Sequence, residues 1–187
     1  MSVLPIHTYG SSVLRAKAKP VERASDEIVK LIVDMFETMH ASNGIGLAAN
    51  QVGSLQRVIV IDVSDAAEDL KDVQPFAMIN PQVVSRTGAF TMEEGCLSIP
   101  DVRDEVDRDE SITVRYKDTN FEDAIMEASG LLARVILHEI DHLNGVLFID
   151  HLTGAKRKAH IEALKRIQRG EIEVSYPVTT SVRVSVS

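Results

Sequence analysis

The chain has 187 residues, 44% hydrophobic and 26% charged, with 20 Lys and Arg against 28 Asp and Glu and a formal charge of −8. That length admits one domain whose core needs no staple, and the acidic balance argues against a surface built to hold nucleic acid or anionic lipid. Cys96 is the only cysteine; with no bilayer-length apolar run and no basic-then-apolar leader in residues 1–10, a reducing, cytoplasmic setting without a membrane partner is expected.

The first 25 residues read as irregular structure wrapping the domain. Ser25 then offers an N-cap ahead of Asp26 and Glu27, and Ile28, Leu31, Ile32, Met35, Phe36 and Met39 recur at helical spacing, which predicts an amphipathic helix to about His40. The small, apolar stretch from Gly44 to Gly53 carries two glycines two apart and one amide, Gln51. Either its glycines admit a second backbone while Gln51 aims an N–H at a developing oxyanion, or it is a tight connection with Gln51 satisfied locally. Residues 57–63 are β-branched and predict a strand, and residues 64–72 an acidic loop.

Short antiparallel strands are expected over 76–80, 81–86 and 89–93, punctuated by Pro81 and Gly88. A turn carrying Glu94, Gly95, Cys96, Leu97 and Ser98 follows. Residues 101–110 are dense in acids and predict a solvated loop; 111–116 and 121–127 pair as a hairpin. A helix opens at Gly130 and stops at Asn144-Gly145. A further helix is expected from about 155 to 169, and residues 171–187 form either an edge strand or a disordered tail beyond a catalytic domain of residues 1–170.

The helix over 130–143 carries His138-Glu139-Ile140-Asp141-His142. At about 100° per residue, His142 lies about 40° round from His138 and one turn along, so both imidazoles can face one ion. Glu139, at the edge of that face, is placed to reach a water rather than the ion. Leu131 and Val135 give apolar walls beside it. A catalytic site needs a third ligand, and Cys96, in its Gly-flanked turn, can swing toward the helix. Two imidazoles and a thiolate leave a divalent ion near +1, which acidifies water less than three neutral ligands do, so Glu139 must assist.

Gly44-Ile45-Gly46-Leu47-Ala48-Ala49-Asn50-Gln51, Glu94-Gly95-Cys96-Leu97-Ser98 and His138-Glu139-Ile140-Asp141-His142 resemble, in that order, the three motifs of the peptide deformylases. The resemblance implies an α+β fold with antiparallel sheets around the metal-binding helix, flanked by an N-terminal and a C-terminal helix. It also implies hydrolysis of the N-formyl group from formylmethionyl peptides, the nascent chains at the ribosome, with release of formate. Carried over by position, Cys96, His138 and His142 hold one divalent metal, ferrous iron with zinc, nickel or cobalt as substitutes. Glu139 acts as general base and then acid, while Gln51 and the Leu97 N–H hold the oxyanion. Gly44, Ile45, Gly46, Glu94 and Gly95 bind the peptide as an added strand. Leu131, Arg134 and Val135 flank the methionine pocket.

Two positions depart from the pattern: Leu137 stands where Gln is frequent, and Arg134 where a small or apolar residue is common. The Arg134 stem would line the pocket with its guanidinium in water, drawn toward Glu94, or the whole side chain would snorkel to the surface. Asp141 is read as orienting a ligand or a neighbouring cation. The rivals are a zinc peptidase, which shares the His-Glu-x-x-His helix, and a binding protein without turnover. The Cys96 ligand argues against the first, and Gln51 with Glu139 against the second.

Overall fold

The computed structural model describes residues 2–180, so positions 181–187 of the expected tail lie outside the described residues. Helix α1 (Asp26–Ala41) starts where Ser25 Oγ accepts the Ile28 N–H at 3.3 Å, an N-cap with two acids favourable to the helix dipole. A five-stranded antiparallel sheet follows in the order β2 (Gly46–Ala48), β3 (Val58–Ile61), β4 (Phe76–Thr87), β7 (Ser111–Lys117) and β8 (Asp123–Ser129). Helix α2 spans Gly130–Leu143, the range its sequence signals predict.

Strand β3 explains the layering. Val58 and Val60 pack with Ile28, Ile32, Met35 and Met39 of α1, whereas Ile59 and Ile61 pack with Ile136, Ile140 and Leu143 of α2. Successive strand side chains point to opposite faces, so a run that is β-branched throughout is what a strand between two helices requires. All four are fully buried, each worth about 1.5–3 kcal/mol against exposure. The sheet thereby fixes α2, whose Ala133 to Ile140 are all buried.

Several expectations need correction. Residues 76–86 form one strand, because Pro81 falls at a register shift between Ile79 and Gln82 where it interrupts no ladder bond. Asn80, at φ +55°, bends the chain there and exchanges two 2.8 Å hydrogen bonds with the Val21 backbone. The acid-rich stretch is no solvated loop: β5 (Phe90–Cys96) and β6 (Ile99–Arg108) form a separate hairpin. Along β6 the side chains of Val102, Val106 and Arg108 turn inward, and the acids occupy mostly the other face.

The C-terminal helix is two pieces, α3 (Gly154–Ala159) and α4 (Ile161–Gln168). Only α4 buries side chains, Leu164 and Ile167, against Ile99, Val102 and Phe148. At the break His160 bonds Asp104 at 2.8 Å. Two short strands also pair in parallel, β1 (Ile6–His7) with β9 (Val178–Thr179), so this part of the tail is an edge strand. No helix among the described residues is long and apolar enough to cross a membrane.

After α2 the chain turns at Gly145, where φ is +76° and a Cβ would stand 2.5 Å from the Arg15 carbonyl oxygen, so only glycine fits. Asp150 then clamps the turn: its carboxylate binds the Arg15 guanidinium, including Nη2 at 3.2 Å, and accepts the Leu147 N–H at 2.9 Å. Burial alone would raise the Asp150 pKa, but Arg15 and the Leu147 amide outweigh it and hold the carboxyl below its ordinary value. A depressed folded-state pKa stabilises above the unfolded value and is lost as pH falls through the folded one. Asp150→Asn is therefore expected to cost about 1 kcal/mol at neutral pH, with the gap to wild type closing below about pH 4 in urea unfolding. A gap constant across that range would place the effect elsewhere.

Candidate active site

The first face of α2 gives His138 and His142, whose ring centroids lie 4.9 Å apart. Cys96 enters from the end of β5, its Sγ 3.1 Å from His142 Nε2. One ligating atom from each of the three lies within 4.8 Å of the others. That spacing suits donors that converge on one cation rather than bond to one another. All three sit at or near the floor of a cleft of about 740 Å³.

The His138 ring is oriented from behind. Glu94 Oε2 bonds His138 Nδ1 at 2.9 Å, which leaves Nε2 to face the cluster. Phe148 stacks on the same ring at 6.3 Å and 26°. Glu94 is itself buried, held by Arg108 Nε at 2.6 Å, Arg108 Nη2 at 3.0 Å and Arg134 Nη1 at 2.8 Å. Burial would raise its pKa, yet the bonds from His138 and Arg108 keep it ionised well below the usual carboxylate range. Arg108 also reaches Asp141 at 2.6 Å, and Asp141 bonds His151 at 2.7 Å; Asp141 thus orients a neighbouring cation.

The two histidines differ in charge preference. Burial holds His142 well below its ordinary pKa, and it is therefore neutral as a ligand must be. Burial opposes protonation of His138 too, but Cys96 and Glu94 overcome it and raise that pKa. A cation shared by the three donors satisfies the same acceptors in place of the proton. Burial also raises the pKa of Glu139 to about 7, and its Oε2 has no partner among the described residues. A buried carboxyl poised near neutrality with one oxygen unspent is equipped to take and return a proton.

Gly46 has a use that the sequence does not suggest. A Cβ there would lie 2.6 Å from Glu139 Oε1 and 2.8 Å from Val135 Cγ1, so the hydrogen gives Glu139 room. A Cβ at Gly44 would likewise stand 2.8 Å from the Leu97 side chain, and one at Gly95 would stand 3.2 Å from the Arg103 guanidinium. Strand β2 is nonetheless at the sheet edge, facing the cleft beside Ile45 and Gly46; its unpaired side is a template for an incoming strand. Gln51 is buried and its amide is fixed: Oε1 accepts the Ala48 N–H at 2.8 Å, and Nε2 donates to Ser98 Oγ at 3.2 Å beside Cys96 Sγ at 3.6 Å. Gln51 is thus satisfied locally, as one reading of the segment expects, with its donor next to the thiol.

The cleft is lined by Gly44, Ile45, Gly46, Gln51, Glu94, Gly95, Cys96, Leu97, Leu131, Arg134, Val135, His138 and Glu139, with His142 buried behind. Arg134 does not reach water. It is 3% exposed, and its guanidinium is consumed by Glu94, by the Val106 carbonyl at 2.7 Å and by the Phe90 carbonyl. Arg108 escaped the sequence reading because it lies in an acid-rich run; the alternation of Val102, Val106 and Arg108 was its signal. Phe148, which stacks on His138, carried none, and neither did residues 173–176, which also line the cleft.

A family model described as Polypeptide deformylase matches residues 3–158. The peptide deformylase of Chlorobium phaeobacteroides is 48% identical over 94% of this chain and 95% of its own length, and that of Salinibacter ruber 43% identical over 95% of each. Among solved structures, the Ehrlichia chaffeensis peptide deformylase in complex with actinonin superposes with a TM-score of 0.82 at 39% identity, covering 92% of this chain and 100% of that one. The Thermus thermophilus enzyme gives 0.82 at 40% identity over 89% and 98%. With its three motifs gathered at one cleft and 94% of its length aligned to such a relative, the chain belongs to the polypeptide deformylase family.

Proposed function

We propose that the chain carries out its family's hydrolysis, removal of the N-formyl group from the amino end of nascent polypeptides, with Glu139 moving the proton. The buried Glu139 carboxyl, its Oε2 without a partner among the described residues, lining the same cleft as Cys96 and His138, is the observation that carries this reading. The soft thiolate and two imidazoles suit a late first-row divalent ion, and we propose ferrous iron, with zinc, nickel or cobalt able to replace it. When bound, that ion supplies Lewis acidity at the floor of the cleft.

The protein's own groups do the rest. The formylmethionyl peptide lies along the free edge of β2, with the backbone of Gly44, Ile45 and Gly46 on one side and Gly95 on the other. Leu131, Val135 and the Arg134 stem flank the methionine side chain. Glu139 takes a proton from the attacking water as the carbon–oxygen bond forms, then delivers it to the amine as the carbon–nitrogen bond breaks, leaving formate and the free amino terminus. Gln51 Nε2 and the Leu97 N–H donate to the oxygen as it gains charge, a contribution of about 3 kcal/mol per donor in comparable sites. The acidic surface fits a cytoplasmic enzyme that meets nascent chains at the ribosome without binding nucleic acid directly.

Glu139→Gln is expected to keep its metal and lose about 10²- to 10⁴-fold in turnover, because an amide cannot accept the proton; formate release from a formyl-Met peptide beside metal analysis checks this, and near wild-type turnover would end the assignment. Cys96→Ala should lose metal and activity together. Gly46→Ala separates placement from chemistry: carboxylate and ligands remain, yet the new Cβ would stand 2.6 Å from Glu139 Oε1. It should retain metal and fold while kcat falls by about 10-fold or more; an unchanged kcat would mean that Glu139 adjusts freely. For the metal, activity per bound ion after anaerobic reconstitution should be lost in air with iron and kept with nickel or cobalt. An air-stable iron form would refute the preference for iron.

A further inference from the structure

We propose that residues 173–180 form a working wall of the active site, in which Tyr176 is a positioning residue for the oxyanion donor Leu97. The deformylase motifs include none of these residues. Leu97 and Ser98 are the two residues of the tight turn from β5 to β6, where the pairing register shifts between Gly95 and Cys96. Beyond that shift the ladder holds the turn through the single pair of Cys96 with Ile99. Donors from elsewhere also hold it: the Tyr176 hydroxyl donates to the Leu97 carbonyl at 2.9 Å, the Tyr9 N–H to the Ser98 carbonyl at 2.8 Å, and Gln51 Nε2 to Ser98 Oγ.

Tyr176 is well placed to act as an anchor. Its ring packs, as does Leu97, against the apolar cluster between α1 and the sheet. The next residue is tied down, since the Ile6 N–H donates to the Pro177 carbonyl at 2.8 Å and the Thr8 N–H to the Thr179 carbonyl at 3.1 Å. On the open side, Glu173, Val174, Ser175 and Tyr176 line the same cleft as Glu139 and His138. The segment thus touches the turn that carries the donor and the space that receives the peptide. A donor must be held within a few tenths of an ångström of where the charge appears, so freeing the Leu97 carbonyl weakens the transition state more than the bound ground state.

The inference rests on Leu97 as an oxyanion donor, and Gln51→Leu is therefore assayed beside Tyr176→Phe, with rates taken per bound metal. Tyr176→Phe keeps the ring and removes one hydrogen bond; kcat on a formyl-Met tripeptide is expected to fall about 3- to 10-fold with KM within about twofold. A merely structural tyrosine would lower the thermal midpoint and leave kcat per bound metal unchanged, and that result overturns the positioning role. If Gln51→Leu lowers kcat and Tyr176→Phe does not, only this inference fails; if neither does, the oxyanion reading fails with it. Should Tyr176→Phe not fold, Val174→Trp decides, since crowding the wall should raise KM severalfold and a wild-type KM would remove the segment from the site.

Discussion

The buried carboxylate of Glu94 is the interaction on which the centre depends. It joins three elements: β5 supplies the acid, β6 supplies Arg108, and α2 supplies Arg134 and His138. Two cations and an imidazole around one carboxylate satisfy its oxygens inside the protein, where an unpaired charge would be prohibitive. Removing a single partner of such a group costs about 3–5 kcal/mol, because it strands the others. The network therefore stabilises less by its own attraction than by making every alternative arrangement of the hairpin against the helix expensive. Its product is a His138 ring with one rotamer and one nitrogen facing the cleft.

This explains why the site is assembled from distant stretches. Helix α2 can align two imidazoles alone, but the third donor lies at the end of a hairpin in a separate two-stranded sheet. Hairpin and helix meet directly through Glu94 and indirectly through Phe148, which packs with Ile99, Val102 and Val106 and stacks on His138, so an aromatic and an ionic contact fix the same relative placement. Two contacts of different physical kind constrain an angle better than either alone, and metal ligands tolerate little error in angle.

Much of this was legible in the residues. Helix α2 was predictable to the residue, since Gly130 and Asn144-Gly145 bracket an apolar period of helical length, and its histidine spacing announced two members of a group that could hold a metal ion. The β-branched run at 58–61 announced a strand, though which two helices it separates depends on tertiary packing. The failures share a cause: at 101–110 the density of acids outweighed an alternation of period two, and at 76–86 Pro81 was read as a break when a bulge accommodates it. For Arg134, amphipathic side chains usually find water; nothing local shows that a carboxylate and two carbonyls from other strands wait inside. Tyr176 is illegible for the same reason, because its partner is 79 residues away in sequence.

The parallel pairing of Ile6 with Val178 and of His7 with Thr179 bears on how the protein is made. Contacts of such separation are the last a growing chain can form, and loop closure must be paid before they give anything back. Helices α1 and α2 and the sheet between them can assemble before the last residues are added, but the Leu97 turn gains its bond from Tyr176 only after residue 176 has left the ribosome. An enzyme that trims nascent chains is thus itself finished late: its core can exist, with ligands in place, before its cleft has its final wall.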